Sequence, residues 1–123
     1  CIINVSSVSG VMAFLPQMPH AASKWVLEAV SEVLAMEMKA FNVRVALIEP
    51  GVVLTPILEK GGTDPSPESP YLNFYQRMLR VFEAALKQPS MPIAVAETSS
   101  NAIETDNKNA AFSRPRRDSS NER

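Results

Sequence analysis

The stretch that decides the fold is NVRVALIEPG, residues 42–51, a run of β-branched and aliphatic residues closed by a proline and a glycine. Proline cannot donate to a strand ladder and a Pro-Gly pair stops an extended segment, so the run is expected to be a strand that ends at Pro50. Upstream, from about Pro19 to Ala40, the apolar residues Ala22, Trp25, Val26, Ala29, Val30, Val33, Leu34 and Met38 recur at steps of three and four, the period of a long helix. Residues 1–6, CIINVS, form another apolar run with little polar interruption, the pattern of a strand covered on both faces. Strand, long helix and strand in this order make one right-handed crossover between parallel neighbours.

Downstream, residues 52–70 read as a loop, with Pro56, Pro65, Pro67, Pro70, Gly61 and Gly62 as turn signals. A loop of that length is usually functional. A helix follows over roughly Tyr71 to Lys87 and a third over roughly Pro92 to Glu104. Residues 114–123, RPRRDSSNER, read as a polar, disordered tail. Because two parallel strands with open edges do not make a stable sheet, further strands are expected before Cys1.

Composition narrows the function. With 123 residues, 46% hydrophobic, 20% charged and a net charge of -1, the chain is one soluble domain or a piece of one, without the charge to attract nucleic acid or an anionic membrane. No apolar run is long enough to span a bilayer, so a cytoplasmic protein is expected. One cysteine, Cys1, and one histidine, His20, give no disulfide and no metal centre built from those residues.

Ligands of open parallel sheets bind at the carboxyl ends of the strands. Four features fall there or at the start of the intervening helix: Ser7, His20, Lys24, and PGVVLTP from Pro50 to Pro56. His20 and Lys24 lie one helical turn apart, where a helix start normally favours acids.

In these motifs, NVSSVSG, HAASK and PGVVLT, the chain resembles the short-chain dehydrogenase/reductase family, with its strand ending in Ser, its Tyr-x-x-x-Lys helix and its Pro-Gly-x-x-x-Thr strand exit. The resemblance runs over roughly residues 1–113 and points to the carboxyl-terminal part of an NAD(P)-binding domain. It implies an α/β fold, a partial Rossmann-like doubly wound parallel sheet lacking the amino-terminal half. It also implies hydride transfer between NAD or NADP and an alcohol or ketone. Carried over by position, Ser7 bonds the substrate oxygen. Lys24 holds the cofactor ribose and favours the ionised catalytic acid, while Pro50, Gly51, Val53 and Thr55 meet the nicotinamide carboxamide.

The departure is at position 20, where His20 stands in place of the family's catalytic tyrosine. A phenol titrates near ~10 and an imidazole near ~6.5 in model peptides. A neutral imidazole accepts an alcohol proton but is a poor donor for ketone reduction, and it reaches less far. An altered enzyme, a noncatalytic nucleotide-binding relative and a drifted or misread gene all fit this histidine, since one base change converts a Tyr codon to a His codon. The four glycines, Gly10, Gly51, Gly61 and Gly62, form no phosphate-binding turn, so the chain alone is expected to be inactive.

The segment from Leu54 to Phe82, with Tyr71, Phe74, Tyr75, Met78 and Leu79, resembles the family's substrate flap and suggests a hydrophobic substrate. A rival reading is an interaction module built on the two helices. The wide apolar arc of the first helix suggests burial on two sides and a homo-oligomer when complete.

Overall fold

The structure, a computed structural model, describes residues 1–58 and 65–105. The expected tail at 114–123 and the end of the resemblance at 113 lie outside them. Strand β1 (Ile2–Val5) pairs in parallel with β2 (Val45–Ile48), in the register Ile2 to Val45 through Val5 to Ile48. Between them runs helix α1 (Met18–Met38). Pro19 stands in its first turn, where a missing N–H costs nothing. Its end tightens into a short 3₁₀ turn, Lys39–Phe41, closed by Asn42 at φ 55, whose N–H donates to Lys39 O at 3.1 Å. Asparagine is among the few residues that take this left-handed conformation readily. That cap is why β2 starts three residues later than the apolar run suggests.

The ladder continues past the strands. Ser6 N–H donates to Ile48 O at 2.8 Å and Val8 N–H to Pro50 O at 3.1 Å, so Pro50 stays in the ladder as an acceptor although it has no donor. A 3₁₀ turn, η1 (Val8–Gly10), follows β1 and packs against α1. Helices α2 (Leu72–Ala85) and α3 (Pro92–Glu104) follow. The Arg44 guanidinium holds the last turn of α3, donating to Ala102 O at 2.8 Å and Ile103 O at 2.6 Å, a cation satisfying terminal helix carbonyls.

The expectation of a doubly wound sheet lacking its amino-terminal half is corrected here. A partial, two-stranded parallel Rossmann-like sheet is present, and its intact portion is the amino-terminal part of the chain. Every buried residue described lies at or before Ile48, whereas α2 and α3 bury none. Burial of apolar surface is what fixes a unit in place, and among the described residues only the β1–α1–β2 crossover achieves it.

The face that α1 turns inward is not its bulky one. Ala21, Glu28, Ser31 and Ala35 are buried, while Trp25, Val26, Val30, Val33 and Met36 are each at least half exposed. Small residues let the helix sit close to the strands. Ser31, fully buried, accepts from Asn4 Nδ2 at 2.8 Å and donates to Leu27 O at 2.7 Å, tying α1 to β1. Removing that hydroxyl leaves the Asn4 amide without its acceptor, so Ser31→Ala should cost ~1–3 kcal/mol in urea unfolding. Thr98→Ala, at an exposed hydroxyl on α3, should stay within ~0.5 kcal/mol.

Candidate active site

Ser7 lies between the two ladder bonds that extend β1 toward Pro50, at the carboxyl edge of the sheet. Its backbone is extended and its hydroxyl accepts from Ser9 N–H at 3.2 Å, capping η1. That bond uses an oxygen lone pair and leaves the hydroxyl proton to donate elsewhere. The plain role of a strand-end cap is therefore real here, and compatible with a second one.

Lys24 reaches the same edge from α1. Its Nζ donates to Val5 O at 3.1 Å, the last carbonyl of β1 and two residues before Ser7. This uses one of three ammonium protons. His20 sits a turn earlier and is exposed, and its backbone carbonyl accepts from Ser23 Oγ at 2.7 Å. The first turn of α1 contains no acid.

After Pro50 the chain leaves the sheet. A side chain at Gly51 would meet no atom within 4 Å, so this point of the edge is open. Val53 forms a parallel bridge to Ser90, with Leu54 N–H donating to Ser90 O and Ser90 N–H to Val52 O, each at 2.9 Å. In that geometry the neighbours of Val53 make the bonds, which turns its own N–H and C=O to the opposite edge. Thr55 is half-buried, and its carbonyl accepts from Leu58 N–H at 3.0 Å. An open depression of about 470 Å³ lies between Gly51–Val52 and the end of α2 at Ala84, Ala85 and Lys87. Helix α2 meets the approach to α1 where Gln17 Nε2 donates to Met78 Sδ at 3.5 Å. Its cap residue Tyr71 and its Phe74 and Leu79 are exposed.

The structure thus brings Ser7, Lys24 and Pro50 to one edge and leaves His20 on the exposed start of the same helix as Lys24. The part of Leu54–Phe82 from 59 to 64 lies outside the described residues. The residues present fit one end of a dinucleotide: a lysine with free donors, an open glycine and outward backbone at Val53. Among the described residues Gly10 does not belong to a phosphate turn, since it lies against Glu28 and Ser6. No group of three or more His, Cys, Asp or Glu there could hold a metal. No helix there is long and apolar enough to cross a membrane.

Sequence reasoning missed the buried cluster behind the site. Glu28 (3% exposed), Ser6 and Ser9 are buried beside η1. The available signal was the spacing of Glu28, four residues after Lys24 and eight after His20, which puts all three on one side of the helix.

Comparison with known proteins places this geometry in context. Residues 1–65 match the short chain dehydrogenase family model. The uncharacterized oxidoreductase YusZ of Bacillus subtilis (strain 168) is 36% identical over 100 residues, covering 78% of this chain and 36% of that protein. The 3-ketodihydrosphingosine reductase of Bacteroides thetaiotaomicron is 46% identical over 50 residues, 41% of this chain and 19% of that protein. A crystal structure of 3-oxoacyl-[acyl-carrier protein] reductase from Brucella melitensis in complex with NAD superposes with a TM-score of 0.68 over 90% of this chain and 40% of that one, at 22% identity, and supports the fold. The chain spans about 40% or less of the length of each.

The resemblance expected over residues 1–113, as the carboxyl-terminal half of a domain, is corrected by where the match falls. It covers the amino-terminal 65 residues of this chain, and these contain the packed core from β1 through α1 to β2. NAD(P) is the cofactor class of the family matched. With that match taking in more than half of the 123 residues, the chain belongs to the short-chain dehydrogenase family.

Proposed function

We propose that this protein is an oxidoreductase that transfers a hydride between NAD or NADP and a small alcohol or ketone, and that His20 limits it. The observation that carries this reading is the bond from Lys24 Nζ to Val5 O at 3.1 Å, which ties the His20–Lys24 turn of α1 to the strand end bearing Ser7. NAD(P), when bound, supplies or accepts the hydride. Ser7 donates its hydroxyl proton to the substrate oxygen, its oxygen held by Ser9 N–H. Lys24 holds the ribose hydroxyls with the protons it does not give to Val5 O. The outward backbone of Val53 and the hydroxyl of Thr55, past the open turn at Pro50–Gly51, hold the carboxamide. His20 accepts the alcohol proton when its imidazole is neutral, which favours oxidation over reduction.

The exposed Tyr71, at the cap of α2, and Phe74 and Leu79 within it support a hydrophobic substrate. The test is turnover of NAD(P)(H) by the protein with a panel of alcohols and ketones. Activity that requires Ser7, measured as a loss in Ser7→Ala, supports the reading, and turnover indifferent to Ser7 contradicts it.

The exposed apolar side of α1 supports a homo-oligomer. Trp25, Val26, Val30, Val33 and Met36 lie on it, and a groove of about 360 Å³ runs between Val30, Val33, Leu34 and Glu37. Light scattering at micromolar concentration should give at least a dimer mass. Val30→Glu, at a position 54% exposed, should lower that mass without unfolding the chain. A strict monomer in the unmodified protein contradicts the assembly and leaves the site reading intact. The rival reading, an interaction module without chemistry, predicts assembly with no nucleotide binding.

A further inference from the structure

We propose that Glu28 is a positioning residue, whose carboxylate, buried against Gly10, sets the turn that aims Ser7; this rests on the roles given above to Ser7, His20 and Lys24. A methyl group built on Gly10 would lie 2.9 Å from both Cγ and Oε1 of Glu28 and 2.8 Å from Ser6 Oγ. The Glu28 side chain therefore occupies the space over η1 that any residue larger than glycine would need. Ser6 Oγ borders the same space, is itself buried, and has no hydrogen-bond partner among the described residues.

Taking a carboxylate out of water is costly unless its charge is paired and its oxygens are hydrogen-bonded, so a glutamate buried here is one whose carboxyl group is engaged. A carboxyl group kept there acts through its charge or its acceptor oxygens. What it touches is local. Gly10 ends η1, and η1 is capped by the Ser7 hydroxyl through Ser9 N–H at 3.2 Å, so a shift of η1 turns Ser7 with it. One side of α1 then contains the proton-transfer position at His20, the ribose holder at Lys24 and, one turn on, the residue that orients the third member of the site.

The test compares the unmodified protein with Glu28→Gln, Gly10→Ala and the double variant, with Glu32→Gln, at an exposed position on the same helix, as control. Three quantities are measured: kcat with oxidised NAD(P) and an alcohol per folded molecule, cofactor Kd by fluorescence titration, and amide hydrogen exchange over residues 6–12. Glu28→Gln and Gly10→Ala should each lower kcat by about 10–10²-fold, the scale of displacing a reacting group by about 1 Å, with Kd within about twofold. Both should speed exchange at Ser9 and Gly10. The double variant should lose little more than either single one, since both act on one contact.

A purely structural role would lower the yield of folded protein and leave its kcat unchanged. Unmodified kcat in Glu28→Gln, or losses that multiply in the double variant, would overturn the proposal. Should Glu28→Gln fail to fold, Gly10→Ala carries the same comparison, because its new methyl group displaces the same carboxylate. Should the unmodified protein turn over no NAD(P)(H), the functional reading fails separately, and exchange then decides: faster exchange in Glu28→Gln supports the positioning, unchanged protection refutes it.

Discussion

Replacing His20 by tyrosine is expected to raise ketone reduction by about 10²–10⁴-fold, the range a well-placed general acid supplies. Reduction needs a proton delivered to the developing alkoxide. A phenol keeps its proton through neutral pH and can give it up to an alkoxide, whereas a neutral imidazole in the same place is a poor proton donor. The exposed start of α1 tolerates the larger ring, because nothing buried has to move to admit it. Cofactor affinity should change little, since Lys24 and the Pro50–Thr55 segment are untouched. A gain in kcat without a change in cofactor Kd is the signature of a group that acts in the transition state. His20→Tyr giving no gain, with Lys24 intact, would remove proton transfer from position 20.

Lys24→Met is expected to act on the other half of the site. It keeps the aliphatic stem and removes the ammonium, so the donors proposed for the ribose and the bond to Val5 O both disappear. Hydrogen bonds from a charged donor contribute ~1.5–3 kcal/mol, which is about 10–10²-fold in cofactor Kd. Loss of the Val5 O bond also loosens the joint between α1 and β1. Urea unfolding therefore belongs beside the titration: weaker cofactor binding at unchanged stability assigns the lysine to the ligand, and a stability loss alone assigns it to the strand end.

Much of the architecture was legible because parallel crossovers follow simple rules. An apolar run, a long periodic helix and a second run stopped by Pro50–Gly51 left one arrangement, and it put Ser7, Lys24 and Pro50 on one edge. The inner face of α1 was not legible. Hydrophobic periodicity pointed to Trp25, Val26, Val30 and Val33, yet close approach to the strands favours Ala21, Ser31 and Ala35, and the bulky side is left outward. Glu28 was hidden for a related reason: a glutamate on an amphipathic helix reads as solvated until the glycine opposite it is located in space. The links Gln17–Met78 and Arg44–Ala102 join residues 61 and 58 positions apart and leave no local trace. The extent of the unit was also misjudged, since motif order alone does not say which part of a chain packs.

The most direct test of the central claim, that position 20 is the proton-transfer position of an NAD(P)-dependent site, is a pH profile of turnover for the unmodified protein and the His20→Tyr variant. It should be measured in both directions with NAD and NADP. The unmodified protein should oxidise alcohols faster than it reduces ketones. The His20→Tyr variant should reduce ketones faster at every pH. Superimposable profiles for the two proteins would contradict it.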